Sequence, residues 1–204
     1  MKIYFVRHGS TDSLEKKISQ PDNEPLNQAG LEQAKKLNKR FANTEVDLII
    51  SSPHTRAFQT AQAISSNITV SSLFAEVRKP TEVIGQPKDN EKVKAILQKI
   101  GQMYLVNPNW HYSDEENFED LKKRGFEALD YIKSLSGNNI VIVSHGNFIA
   151  LLIGLMLFGT DYPVGLSLRL KNFMRLNSAG VSICTFEDDK WKLETWNDTS
   201  HSLE

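Results

Sequence analysis

The chain has 204 residues, 40% of them hydrophobic and 24% charged, and a formal net charge of -1. Such values fit one globular domain with a sizeable core, and the near-zero charge excludes a global positive field that would gather nucleic acid or an anionic membrane. Any anion site must therefore be local. The single cysteine, Cys184, excludes an internal disulfide, and its place in the apolar alternation Val181 to Phe186 reads as a core thiol. Ile3 to Val6 is too short for a signal-peptide core, and no apolar run reaches membrane-spanning length, so the expected location is the cytoplasm. The terminal Leu203-Glu204 could be a cloning remnant.

Lys2 to Val6 is an apolar run that predicts a first buried strand. Asn27 to Asn43 follows as a helix, with Leu31, Ala34, Leu37 and Phe41 on one face and Asn27 as its N-cap. Asp47 to Ser51 predicts a second strand, and Thr55 to Ser66 a helix opened by Pro53. Ile68 to Leu73 reads as a third, weaker strand. The long stretch from there to Asn139 lacks a strong strand signal. It holds two helical patterns, Asn90 to Tyr104 and Phe118 to Leu135, separated by a loop with Pro108 and Trp110. It reads as a helical cap insertion at about 86–136, set over one end of the sheet. Asn139 to Ser144, apolar and mostly β-branched, is the clearest strand. Asn147 to Phe158 is the helix after it, and Ser167 to Trp196 predicts two or three further strands. Alternation of strand and helix predicts an α/β fold, a three-layer α/β/α sandwich on a mostly parallel sheet, as one domain over 1–204.

The chemistry sits where the strands stop. Their ends carry Arg7-His8-Gly9, then Ser51-Ser52-Pro53-His54-Thr55-Arg56, then Glu76, then Ser144-His145-Gly146. Ligands of open α/β sheets bind at the carboxyl ends of the strands, so these clusters should converge on one rim. Two guanidiniums there imply an oxyanion such as phosphate, whose oxygens match an arginine fork. A neutral imidazole is a nucleophile that can carry a covalent intermediate, and Gly9 and Gly146 leave room for backbone to approach the ligand.

Arg7-His8-Gly9, Ser51-Ser52-Pro53-x-x-Arg56-Ala57-x-Gln59-Thr60-Ala61 and Ser144-His145-Gly146, in this order, resemble the histidine phosphatase superfamily, the phosphoglycerate-mutase-like group. Pro25-Leu26, Gly30-x-x-Gln33-Ala34 and the C-terminal Asn197 to His201 are also similar to it. The resemblance implies a phosphohistidine on His8, a phosphate pocket completed by Arg7, Arg56 and His145 with Thr11 and Gly146, Glu76 as the proton donor, and neither metal nor cofactor. Two departures stand on the pocket side of relatives: Leu14 in place of a common Asn, and Lys17-Ile18-Ser19-Gln20 in place of an Arg-x-Gln-Gly stretch.

Other candidates have plainer readings. His54 occupies a variable position of its motif and reads as a surface residue. Glu82 competes with Glu76, Arg78 is either a second anion contact or a solvated charge, and Trp110 and His111 read as packing in the cap. His201 reads as structural, and Lys35, Lys36, Lys39 and Arg40 as a solvated helix face. The expected function is a metal-independent phosphatase acting on a small phosphorylated metabolite. A phosphoglycerate-type mutase is the first alternative, although Glu76 is followed by Val77-Arg78-Lys79-Pro80-Thr81 rather than a Tyr-Gly-rich stretch. A non-catalytic phospho-ligand binder on the same fold and a metal hydrolase, for which ligand spacing is lacking, complete the set. The sequence leaves a homodimer open and names no substrate.

Overall fold

The computed structural model describes residues 1–202, so Leu203-Glu204 lies outside the described residues. The chain begins with β1 (Lys2–Arg7), a single turn of helix α1 (Asp12–Glu15), α2 (Gln28–Phe41), β2 (Leu48–Ser51) and α3 (Thr55–Ile64). A two-residue strand β3 (Thr69–Val70) follows, then α4 (Glu91–Val106) and α5 (Phe118–Ser134). The chain then returns to the sheet as β4 (Asn139–Ser144), runs through α6 (Gly146–Phe158) and α7 (Val164–Phe173), and ends with β5 (Val181–Glu187) and β6 (Lys190–Asp198).

The six strands form one sheet in the order β3-β2-β4-β1-β5-β6. The first four are mutually parallel, and β5 and β6 add an antiparallel edge. Side-chain alternation along the strands builds two cores. Val6, Ile49, Val141 and Val143 face α2 and α3, where they meet Leu37, Phe41, Ala57 and Ala61. Ile3, Phe5, Ile50, Ile140 and Ile142 face the other way, against α5 and α6. That makes three layers. α6 is apolar almost all round because it lies between the sheet and α5, and every residue from Phe148 to Leu155 is buried. Among the described residues, no helix is long and apolar enough to cross a membrane.

Four readings change. Leu31, expected in the core, is 42% exposed, because Gly30 rather than Leu31 faces inward at the start of α2. The third strand shrinks to two exposed residues, and Ser72–Phe74 turns instead as a 3-10 helix. Ser167, expected to begin a strand region, lies inside helix α7, so the tail supplies two strands and a helix. Finally, α5 does not stand above the sheet. Gly125 lets it pack on α6 so closely that an added Cβ would lie 2.3 Å from Leu155 Cδ1. At the C-terminus, Arg40 Nη1 bonds Asp198 at 2.6 Å and His201 Nδ1 at 3.3 Å, so part of the basic face of α2 clasps the last strand. Cys184 is fully buried, and burial pushes its thiol up to about 12.

Candidate active site

Register brings the strand ends together. Arg7 pairs with Ser144, Ser51 with Val143, and the first residues past the ends continue the ladder, His8 N donating to Ser144 O at 3.0 Å and Ser52 N to Val143 O at 3.0 Å. His8 and His145 therefore stand side by side, ring centroids 5.1 Å apart, with exposures of 1% and 0%. His8 Nδ1 lies 2.7 Å from Gly9 O, which can only accept, so Nδ1 carries the proton and Nε2 keeps a free lone pair. Burial first, and then the charges of Arg56 and Arg7, hold the His8 pKa well below the ordinary value, and the ring is neutral.

His145 is set by Ser52. The Ser52 hydroxyl accepts from His54 N at 3.2 Å and lies 2.8 Å from His145 Nε2, which orients the ring and leaves Nδ1 buried without a partner. Burial, then the neighbouring His8 and Arg56, also push the His145 pKa well down. Arg7 bonds the Leu176 carbonyl through Nη1. Arg56 bonds Pro21 O at 2.8 Å and His54 Nδ1 at 3.0 Å. Three buried nitrogens of this cluster, Arg7 Nε, Arg56 Nε and His145 Nδ1, have no hydrogen-bond partner. The two guanidinium nitrogens are donors, and a cluster of this kind suits an anion rich in acceptors.

Glu76 enters from the turn after β3. Its carboxylate accepts from Val77 N at 2.9 Å and from Asn147 Nδ2 at 3.2 Å. Two tethers hold the preceding turn: Ser144 Oγ donates to Phe74 O at 2.7 Å, and Arg124 Nη1 donates to Leu73 O and Ala75 O, both at 3.0 Å. Arg124 is itself fixed by a two-point ion pair with Glu116 at 2.6 and 2.8 Å, and it stacks on Phe148 at 4.0 Å. Glu82, the rival carboxylate, is exposed and 4.0 Å from Lys92.

A cavity of about 1310 Å³ opens above this floor, lined by Arg7, His54, Arg56, Glu76 and Gly146 and walled by residues of α4 and α7. Leu14, Lys17 and Arg78 reach it as well. His54, expected at the surface, instead sits in the site. Its ring centroid is 4.7 Å from that of His145, it bonds Arg56, and its side chain is only 10% exposed. Thr11 is fully buried and N-caps α1, accepting from Leu14 N at 3.2 Å and Gln20 Nε2 at 2.6 Å. Gly9 serves packing rather than ligand approach: a Cβ there would lie 2.7 Å from Gly30 O. His111 bonds Glu115 O at 3.0 Å and Asn117 at 2.8 Å, holding the cap loop together. The motif glutamines also brace backbone, Gln33 accepting from Ser10 N at 2.8 Å and Gln59 from Leu26 N at 2.8 Å.

Asn147 and Arg124 were not marked by sequence reasoning, and Ser52 was marked only as part of its motif, not as the partner of His145. Asn147 follows His145 by two residues and could have been found as a first-turn residue of α6, whereas nothing in the α5 sequence marks Arg124 as the clamp on the Glu76 turn.

Comparison with known proteins gives the family and the fold. A family model, histidine phosphatase superfamily (branch 1), matches residues 3–199. Phosphatase PhoE of Bacillus subtilis (strain 168) is 27% identical over 98% of this chain and 95% of its own. A metal-independent phosphoserine phosphatase of Arabidopsis thaliana is 23% identical over 98% of this chain and 82% of its own. Among solved structures, a mutant phosphoserine phosphatase of Entamoeba histolytica in complex with phosphoserine superposes with a TM-score of 0.80 at 23% identity, over 98% of both chains, a likeness of fold. With its three motifs gathered on one sheet rim and the family model spanning nearly its whole length, this chain belongs to the histidine phosphatase superfamily, branch 1, and is a phosphatase.

Proposed function

We propose that the enzyme hydrolyses a small phosphomonoester through a phosphohistidine on His8. The observation that carries this reading is the His8 ring itself: neutral, with Nδ1–H held by Gly9 O, Nε2 free, and Arg7, Arg56 and His145 around it. Nε2 attacks phosphorus, the bond to the ester oxygen breaks, and Glu76 protonates the leaving alcohol. Water then attacks the phosphohistidine, gives its proton to Glu76, and the P–N bond breaks, releasing phosphate and restoring His8. Arg7 and Arg56, with His145 in the tautomer that carries its proton on Nδ1, offset the charge on the transferring oxygens. Gly146 begins α6 at the cavity wall, where a helix N-terminus favours an anion. Thr11 contributes by fixing the loop after His8 through its cap on α1.

In this reading residues 1–204 form one histidine phosphatase domain working in the cytoplasm, and the segment at about 86–136 selects the substrate, since α4 and the following loop supply much of the cavity wall. An assay with an aryl phosphate, run with and without a chelator, tests the chemistry. Equal turnover in both is expected. Loss of turnover with chelator would replace the histidine mechanism by a metal-dependent one.

A further inference from the structure

Glu76 stands in a segment with no ladder of its own. β3 stops at Val70, and from Ser71 to Pro80 the chain forms only the 3-10 turn Ser72–Phe74. A proton donor on such a stretch needs support from outside, because a loop places a side chain less precisely than a strand or helix does. Glu116, at the end of the cap loop, supplies that support. Its Oε1 accepts from Arg124 Nε at 2.6 Å, and its Oε2 accepts from Arg124 Nη2 at 2.8 Å and from Arg78 N at 2.9 Å. Its backbone N–H donates to Arg78 O at 3.2 Å, and its carbonyl accepts from the Tyr104 hydroxyl of α4 at 2.8 Å. The Arg124 and Glu116 side chains are only 16% and 12% exposed, so their two-point pair is largely shielded from water.

These bonds fall on both sides of Glu76. Before it, Arg124 Nη1 holds Leu73 O and Ala75 O; after it, Glu116 holds the N–H and the carbonyl of Arg78. The fork with Glu116 uses Nε and Nη2, and so turns Nη1 toward the two carbonyls. Arg124 also lies 4.0 Å over the ring of Phe148, which is fully buried and follows Asn147, the amide that donates to Glu76. Asp114 repeats the link between cap loop and Glu76 segment, accepting from Thr81 N at 2.9 Å and from the Thr81 hydroxyl at 2.5 Å.

We infer that Glu116, acting through Arg124 and the Arg78 backbone, is a positioning residue for the Glu76 carboxyl. The segment proposed to select the substrate then also sets the proton donor for its leaving group. The inference rests on the proposed role of Glu76 as that donor. Misplacing a catalytic group by about 1 Å can cost on the order of 10²-fold, so loosening the clamp should act on proton transfer before it acts on phosphate binding.

The test measures single-turnover phosphorylation of His8 by benzyl phosphate, whose alcohol needs a proton to leave, and by 4-nitrophenyl phosphate, whose phenolate does not. Glu116→Gln keeps the shape but turns an N–H toward other donors, and Arg124→Lys cannot reproduce the fork. Each should slow the benzyl ester by about tenfold to a hundredfold and the nitrophenyl ester by less than about threefold. In a Glu76→Gln background neither should slow the benzyl ester further, since the donor they position is gone. Hydrogen exchange of the backbone amides of residues 73–81 should quicken in both variants. Equal losses on the two esters, as a general loss of stability would give, or full additivity with Glu76→Gln, would overturn the inference while leaving Glu76 as the acid. If Glu76→Gln itself slows both esters equally, the acid reading fails instead. Exchange then decides whether the clamp holds the turn, and unchanged exchange in both variants would overturn it.

Discussion

At the residue scale, the site is a set of side chains each held by one particular partner. Glu76 is the clearest case, because a general acid works only from a fixed distance. The Asn147 amide, the Val77 N–H and the turn clamped by Arg124 fix it from three directions. Glu76→Gln keeps the shape and one of the two accepted hydrogen bonds but removes the transferable proton, so kcat should fall by about 10²–10⁴-fold on an alkyl phosphate. The fall should be smaller on an aryl phosphate, whose leaving group needs less protonation. Single-turnover kinetics on both substrates measure this, and equal losses would remove Glu76 from the leaving-group step. His54 makes a second case. Its Nδ1 accepts from Arg56, which requires a neutral ring, and burial followed by the Arg56 charge keeps its pKa below the ordinary value. On acidification the ring gains a proton that points at the guanidinium, and the grip of Arg56 loosens. The kcat/KM profile should show an acid limb below the usual histidine range, and His54→Asn, which retains an acceptor, should lose that limb. A profile identical in both proteins would count against it. The sequence placed Arg7, His8, Arg56, Glu76 and His145 at strand ends because the motifs lie there. It did not reveal the part of His54, since that depends on a tilted ring contact with a residue far along the chain.

At the scale of elements, strands and amphipathic helices were legible because burial imposes a period on the sequence. β4 matches its expected span, and Asn27 caps α2 by accepting from Gly30 N at 2.8 Å. α7 was not legible: it buries none of its residues, and so has no apolar stripe to announce it. β3 was overextended because its apolar residues serve the turn that carries Glu76 rather than a ladder. Contact between α2 and the loop after β1 gives a prediction that belongs here. A Cβ on Gly30 would lie 2.1 Å from Ser10 O and 2.9 Å from Ser10 N, backbone atoms of the loop that holds His8. Gly30→Ala should therefore destabilise the protein by about 1–3 kcal/mol, as overpacking does, and should also lower kcat, because the relief available is to move that loop. Thermal unfolding and steady-state kinetics check both, and an unchanged Tm with full activity would show that the contact relaxes elsewhere.

For the whole molecule, the fold turns distance in sequence into proximity. Strand β4 inserts between β1 and β2 and so sets His145 beside His8 and Ser52. The parallel-sheet rule made that convergence readable in advance. Of the cavity walls, α4 was expected within the segment at about 86–136, whereas α7 was not readable, because its place over the rim depends on contacts that no periodicity encodes. The mechanism that follows from this arrangement requires a covalent bond between phosphorus and His8 Nε2. Rapid quench of the wild-type enzyme with labelled substrate, followed by digestion and mass spectrometry, looks for that bond. An acid-labile phosphoryl group on His8, forming and decaying fast enough to account for turnover and absent from His8→Ala, is the predicted result. Turnover without such a species, a phosphoryl group on another residue, or more than about a tenth of wild-type activity in His8→Ala would contradict the covalent route.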